Sequence, residues 1–219
     1  MKISLKYREL LSDVRRMVVK IGSRVLVQSS GRPDNRRIRA LVKEIANIHN
    51  GGREVIVVTS GAIGAGMEAL RMKERPEKLP DLQMAAAVGQ TRLMSHYDEY
   101  FGKQGCTVGQ ILLTHADFNH KIRLTNARRT IENLLRHDVI PIINENDVVA
   151  DEEIKAHLAL GDNDVLASHV IRLVRADLLI LLTNSDGVRT PGRSGHTKRV
   201  SYIEEVNRKT LTVASSNKS

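Results

Sequence analysis

Five short apolar runs recur along the chain: MVVKI at 17–21, EVIVVT at 54–59, TVGQILLT at 107–114, VIPIIN at 139–144 and LLILLT at 178–183. They are nearly continuous rather than alternating, the pattern of strands buried on both faces. Between them the period lengthens. In NDVLASHVIRLVRAD, Leu166, Val170, Leu173 and Val174 fall on one helical face. NARRTIENLLRHD places Ala127, Ile131, Leu134 and Leu135 in the same way. LQMAAAVGQTRLMSHYDEYF reads as a longer helix built from strong helix formers. Alternation of strands and helices predicts an α/β protein with a mostly parallel sheet and helices on both faces. From residue 184 the pattern loosens, and NSDGVRTPGRSGHTKR predicts a loop or an exposed hairpin.

Polar residues gather just past the strands. KIGSR follows the first, TSGAIGAG the second, NEND the fourth and TNSDG the fifth. In open α/β sheets ligands sit beyond the carboxyl ends of the strands, so these segments predict one site at one edge. The densest stretch is INENDVVADEEIKAHLALGDND at 143–164, with Asn144, Glu145, Asn146, Asp147, Asp151, Glu152, Glu153, Asp162, Asn163 and Asp164.

That concentration of acids stands in a basic chain of 219 residues with a formal net charge of +9. The Lys and Arg are spread over the whole length and aromatics are only 3%, which argues against a base-stacking nucleic-acid platform. A scattered solvated surface and anionic small molecules both remain open. No apolar run reaches membrane-span length and the N-terminus has no signal-like apolar core, so no membrane partner is expected. Cys106 is the only cysteine, which excludes an intramolecular disulfide and fits a reducing, cytoplasmic setting. It reads as a small core or loop residue. The eight histidines show no metal-ligand spacing, and no metal-ligating residue is assigned.

Each motif has two readings. TSGAIGAG either brings backbone amides to an anion at a helix N-terminus or provides small residues for close packing. It is neither the dinucleotide fingerprint nor a Walker A loop. Lys20 ends an apolar strand, where an unpaired ammonium is costly; it either meets an anion in the crevice or snorkels from an edge strand. Asp162 in GDND suits a helix N-cap, but one cap does not explain three polar side chains in a row.

With these residues assembled, the chain resembles the amino acid kinase family, in its glutamate-phosphorylating branch. VVKIGS, VIVVTSGAIGAG, AAVGQTRLM, VGQILLT, NARRTIENLL, VIPIINENDVVADEEIK, GDND and LLILLTNSDGV carry the likeness, in order, over roughly 17–190. The resemblance implies a three-layer α/β/α sandwich and ATP-dependent phosphorylation of the L-glutamate γ-carboxylate, the first step towards proline, with ATP and Mg²⁺ as cofactors. It implies Ser60, Asp147 and Asn163 as glutamate-binding residues, with Glu152, Glu153 and Lys155 shaping the loop over the substrate. Lys20 becomes the cation on the transferred phosphoryl, Gly22 and Gly61 amide donors to its oxygens, and Asp164 the aspartate that organises the lysine. Thr183, Asn184 and Asp186 match the nucleotide-side loop, while Arg189 stands where the family places an aromatic residue. The stretch between Lys155 and Gly161 is a few residues longer than the family pattern.

The whole of 1–219 then reads as one kinase domain, glutamate-binding over about 1–175 and incompletely nucleotide-binding over about 176–219. The family's glycine-rich segment with a second lysine and the RNA-binding-like C-terminal domain are not in the sequence. A homo-oligomer is expected. The rival readings are another member of the family, acting on aspartate, acetylglutamate or UMP, and a catalytically silent binding or assembly subunit.

Overall fold

The computed structural model describes residues 9–27, 33–149, 162–191 and 197–215. They divide into two compact units that meet in sequence between Leu182 and Thr183.

The first unit is built on five parallel strands: β1 (Arg16–Ile21), β2 (Glu54–Val58), β3 (Thr107–Leu113), β4 (Val139–Glu145) and β5 (Leu178–Leu182). Their order across the sheet is β3-β4-β2-β1-β5. All five apolar runs are strands, within a residue at each end. The helices are α1 (Ser23–Leu26), α2 (Asn35–Asn50), α3 (Ala62–Ala69), α4 (Leu79–Gly102), α5 (His115–Phe118), α6 (Lys121–Arg136) and α7 (Asp162–Val174). α7 takes Asp162 as its first helical residue rather than as the cap before it.

Strand side chains alternate between faces, so each central strand feeds two cores. Met17, Val19, Ile21, Val55, Val57, Ile140 and Ile142 pack with α2 and α4. Val18, Ile56, Val58, Ile111 and Ile143 pack with Ile131 and Leu135 of α6 and Leu166, Val170 and Val174 of α7. The two layers of helices follow from that two-sided burial. Cys106 is buried, its thiol donating to Asn50 Oδ1 at 3.4 Å. Burial, and then the charge of Asp138, push its pKa up, so it is an unreactive core residue.

At the amino end of the sheet, Arg16 ties elements together. Its guanidinium donates to Glu54 Oε2 at 2.6 Å, to both oxygens of Glu132 at 2.7 and 3.0 Å, and to the Val174 carbonyl at 2.6 Å. One side chain thereby pins β1 to β2, to α6 and to the end of α7.

In the second unit, β6 (Arg189–Pro191) and β7 (Thr197–Arg199) form an antiparallel hairpin, followed by α8 (Arg208–Ser215). The hairpin matches the turn-rich reading from residue 184. Among the described residues no helix is long and apolar enough to cross a membrane.

Candidate active site

The carboxyl ends of β1, β2 and β4 form one edge, and strand parity decides what each contributes. Lys20 shares its face with Val18, towards α7. Its backbone pairs with Val58 on one side and Leu181 on the other, so it stands mid-sheet rather than on an edge. Its Nζ lies 2.6 Å from Asp164 Oδ1, in the first turn of α7. An ammonium in so apolar a place requires a partner. The aspartate supplies one while remaining half-exposed.

Gly22 has a different job from the one expected. Its N–H donates to the Leu182 carbonyl at 3.1 Å, so it is not open to a phosphoryl oxygen. A side chain there would reach within 3.4 Å of Lys20 Nζ, so the glycine leaves room around the lysine head.

Beyond β2 the chain turns sharply. Gly61 has φ +102°, a left-handed conformation strained for any residue with a Cβ, and it caps α3 without a side-chain acceptor. The first amides of α3 therefore face the edge without a side-chain cap. The rest of the motif serves packing. A Cβ on Gly66 would fall 1.8 Å from the Ala85 carbonyl, and one on Gly89 1.7 Å from the Ala62 carbonyl. The packing reading of TSGAIGAG holds at Gly66, with helix α4 rather than a strand as the partner.

Three carboxamides join these ends. Asn163 Nδ2 donates to the Thr59 carbonyl, to Ser60 Oγ at 2.8 Å and to Asn144 Oδ1 at 3.1 Å. Asn144 Nδ2 in turn donates to Gln90 Oε1 at 2.7 Å. Asn163 Oδ1 and Gln90 Nε2 are buried with no hydrogen-bond partner. Asn163 thus has its donor end engaged, while its acceptor end is buried without a hydrogen-bond partner. Below them Thr59 Oγ1 meets Tyr97 OH at 2.7 Å and donates to the Ser60 carbonyl at 3.2 Å. Burial drives the Tyr97 pKa to about 12, opposed by the Thr59 bond, so the phenol stays neutral.

Asp147 lies in the turn just past β4, half-buried, where Asn146 N–H donates to the Leu113 carbonyl at 2.9 Å.

Residues 15–218 match the profile of the amino acid kinase family.

The chain belongs to the amino acid kinase family.

It is 46% identical over 199 residues to the glutamate 5-kinase of Clostridium acetobutylicum, covering 90% of this chain and 73% of that protein. Against the glutamate 5-kinase of Moorella thermoacetica it is 48% identical over 180 residues, 82% of this chain and 47% of that one. The Clostridium tetani glutamate 5-kinase is 42% identical over 209 residues, 94% and 77% of the two. The chain thus spans between about half and three quarters of the length of these curated relatives. Among solved structures, a Giardia carbamate kinase superposes with a TM-score of 0.54 at 16% identity, over 80% of this chain and 77% of that one. At that identity the likeness shows the fold.

Of the residues the family motifs single out, Lys20, Ser60, Gly61, Asn163 and Asp164 stand at one edge of the first unit. Thr183, Asn184 and Asp186 belong to the second unit. There Asp186 pairs with Arg189, whose Nε also donates to Thr197 Oγ1 at 2.7 Å, and Thr183 Oγ1 accepts from Ser185 N–H at 3.2 Å. Arg189, the departure from the family's aromatic residue, thus ties the segment before the hairpin to its second strand. Glu152, Glu153 and Lys155 lie outside the described residues. Gln90, Thr59 and Tyr97 escaped sequence reasoning, and Asn144 stood in the polar cluster past β4 without a role of its own. The AAVGQ stretch gave a signal, a glutamine beside a glycine amid small residues, but helical periodicity does not say which strand end such a residue reaches.

Proposed function

We propose that the chain transfers the γ-phosphoryl group of ATP to the γ-carboxylate of L-glutamate, forming γ-glutamyl phosphate and ADP. The observation that carries this reading is the Lys20–Asp164 pair at 2.6 Å, set at the same sheet edge as Ser60 and Asn163. A carboxylate oxygen attacks the phosphorus and the bond to the leaving ADP oxygen breaks. The acceptor is already ionised at neutral pH, so no general base is required. Charge compensation and alignment then dominate catalysis. Lys20 supplies the positive charge on the phosphoryl oxygens, Asp164 holds the lysine, and the Gly61 amide donates at the turn. Asp147 takes the substrate ammonium. Ser60 Oγ accepts from Asn163 and so keeps its own proton for a substrate carboxylate oxygen.

Magnesium enters with ATP, as part of that substrate. Among the described residues no three His, Cys, Asp or Glu side chains gather as a cation site, and the Asp164 carboxylate is engaged by Lys20. Thr183, Asn184 and Asp186 are the proposed nucleotide contacts. The reaction would open proline biosynthesis in the cytoplasm, with the protein acting as a homo-oligomer.

The test traps the acyl phosphate with hydroxylamine and measures the hydroxamate with L-glutamate, L-aspartate and N-acetylglutamate, alongside phosphorylation of UMP. Product that needs both ATP and L-glutamate is expected. Faster turnover of aspartate, acetylglutamate or UMP would reject glutamate as the substrate.

A further inference from the structure

We propose that Gln90 is a positioning residue of the amino-acid site, fixing the orientation of the Asn144 carboxamide and through it that of Asn163, so that Asn163 presents an oxygen to the ligand. This deepens the glutamate reading and rests on it.

A carboxamide has a donor end and an acceptor end, and a chain of them transmits polarity. Gly89 lets α4 press against the Ala62 carbonyl, which brings the next residue, Gln90, to the end of β4. Gln90 Oε1 accepts from Asn144 Nδ2 at 2.7 Å. Asn144 must therefore turn its Oδ1 towards Asn163, which donates to it at 3.1 Å. Were Asn144 reversed, two NH₂ groups would face each other. Asn163 would be pushed off the Thr59 carbonyl and Ser60 Oγ. With Gln90 in place the chain ends in an unfilled buried acceptor, Asn163 Oδ1, and an unfilled buried donor, Gln90 Nε2. An acceptor at the Asn163 end suits an ammonium, which has only hydrogens to give. By this account Gln90 acts on recognition of the substrate's amino group rather than on its carboxylates.

Three forms of the whole chain decide it: the parent, Gln90→Met, which removes both ends of the amide at similar length, and Gln90→Glu, which keeps an acceptor facing Asn144. Two readouts are taken: hydrogen exchange of the Asn163 side-chain amide by NMR, and calorimetric binding of L-glutamate and of glutarate, which lacks the ammonium. In Gln90→Met, exchange at Asn163 accelerates and L-glutamate affinity falls about tenfold, the loss of roughly one charge-assisted hydrogen bond. Glutarate affinity changes much less, and Gln90→Glu restores both slow exchange and most of the L-glutamate affinity. Unchanged exchange in Gln90→Met overturns the proposal, as does an equal loss for both ligands. If the parent binds neither ligand, the glutamate reading fails. The exchange arm still decides the relay, with acceleration in Gln90→Met but not in Gln90→Glu supporting it and no acceleration overturning it.

Discussion

Lys20 and Asp164 meet at 2.6 Å with unequal exposure, the lysine side chain at 8% and the aspartate at 48%. The pair is therefore asymmetric in its energetics. Removing Asp164 leaves an ammonium with little water and no counter-charge, whereas removing Lys20 leaves a carboxylate that solvent can reach. Asp164→Ala should destabilise the first unit by about 2 kcal/mol, discounted from a fully buried pair because the aspartate is half-exposed. Lys20→Met should leave stability within about 1 kcal/mol of the parent while lowering phosphoryl transfer by about 100-fold or more. Urea titration and hydroxamate formation measure the two effects. A Lys20→Met protein with near-parental turnover would move the phosphate site elsewhere.

Asp147→Asn is expected to weaken L-glutamate binding by roughly ten- to a hundredfold while leaving ATP binding nearly unchanged. The motive is its place just past β4, at the edge that carries Ser60 and Asn163, and the single positive charge of the substrate. Exchanging a charged acceptor for a neutral one costs about 1.5–3 kcal/mol. Calorimetry with each ligand separately is the check, and equal glutamate affinity in mutant and parent would take Asp147 out of the site.

Gly89→Ala should be among the most disruptive single-methyl changes in the chain. The added Cβ would sit 1.7 Å from the Ala62 carbonyl, so α3 and α4 must separate. Overpacking of this kind costs about 1–3 kcal/mol and occasionally more. Because Gly61 caps α3 and α4 carries Gln90 and Tyr97, glutamate affinity should fall together with the melting temperature. A Gly89→Ala protein as stable as the parent would show that the two helices can part without loss.

The strands were legible because strands buried on both faces leave uninterrupted apolar runs, and each of the five became a strand of the sheet. The fanning of polar residues to one edge was legible for the same reason: parallel strands all end on the same side. Less legible was anything that depends on rotation about a helix. Gln90 and Tyr97 sit in a sequence of strong helix formers without a sharp apolar stripe, and only the backbone contact at Gly89 fixes which residues of α4 meet β2 and β4. Gly22 illustrates another limit. Its place after Lys20 was plain, but the engagement of its amide with Leu182 depends on β5 lying beside β1, a pairing of residues far apart in sequence. Arg16 was hidden likewise, since its partners Glu54 and Glu132 come from separate elements.

That Arg16 cluster yields a prediction in pH. The hydrogen bonds from Arg16 to Glu132, at 2.7 and 3.0 Å, hold the Glu132 carboxyl below the usual carboxylate range, with desolvation opposing them. The arginine is correspondingly held as a cation, its own pKa raised chiefly by Glu132. A carboxylate whose pKa is lowered by folding stabilises the folded state fully above its unfolded value, about 4.3. That contribution declines as pH falls through the lowered folded value, where both states bind the proton. Glu132→Gln keeps the size of the side chain and deletes the charge. The parent should therefore exceed the variant by about 1–2 kcal/mol between pH 6 and 8, the scale of a partly buried bidentate pair. The gap should narrow steadily below about pH 4.5, as the unfolded parent binds the proton before the folded parent does. Urea unfolding of both proteins across this range reads the difference directly. A gap as wide at pH 3.5 as at pH 7 would mean that the charge of Glu132 is not what holds β1 to α6, and that the loss in the variant is one of packing.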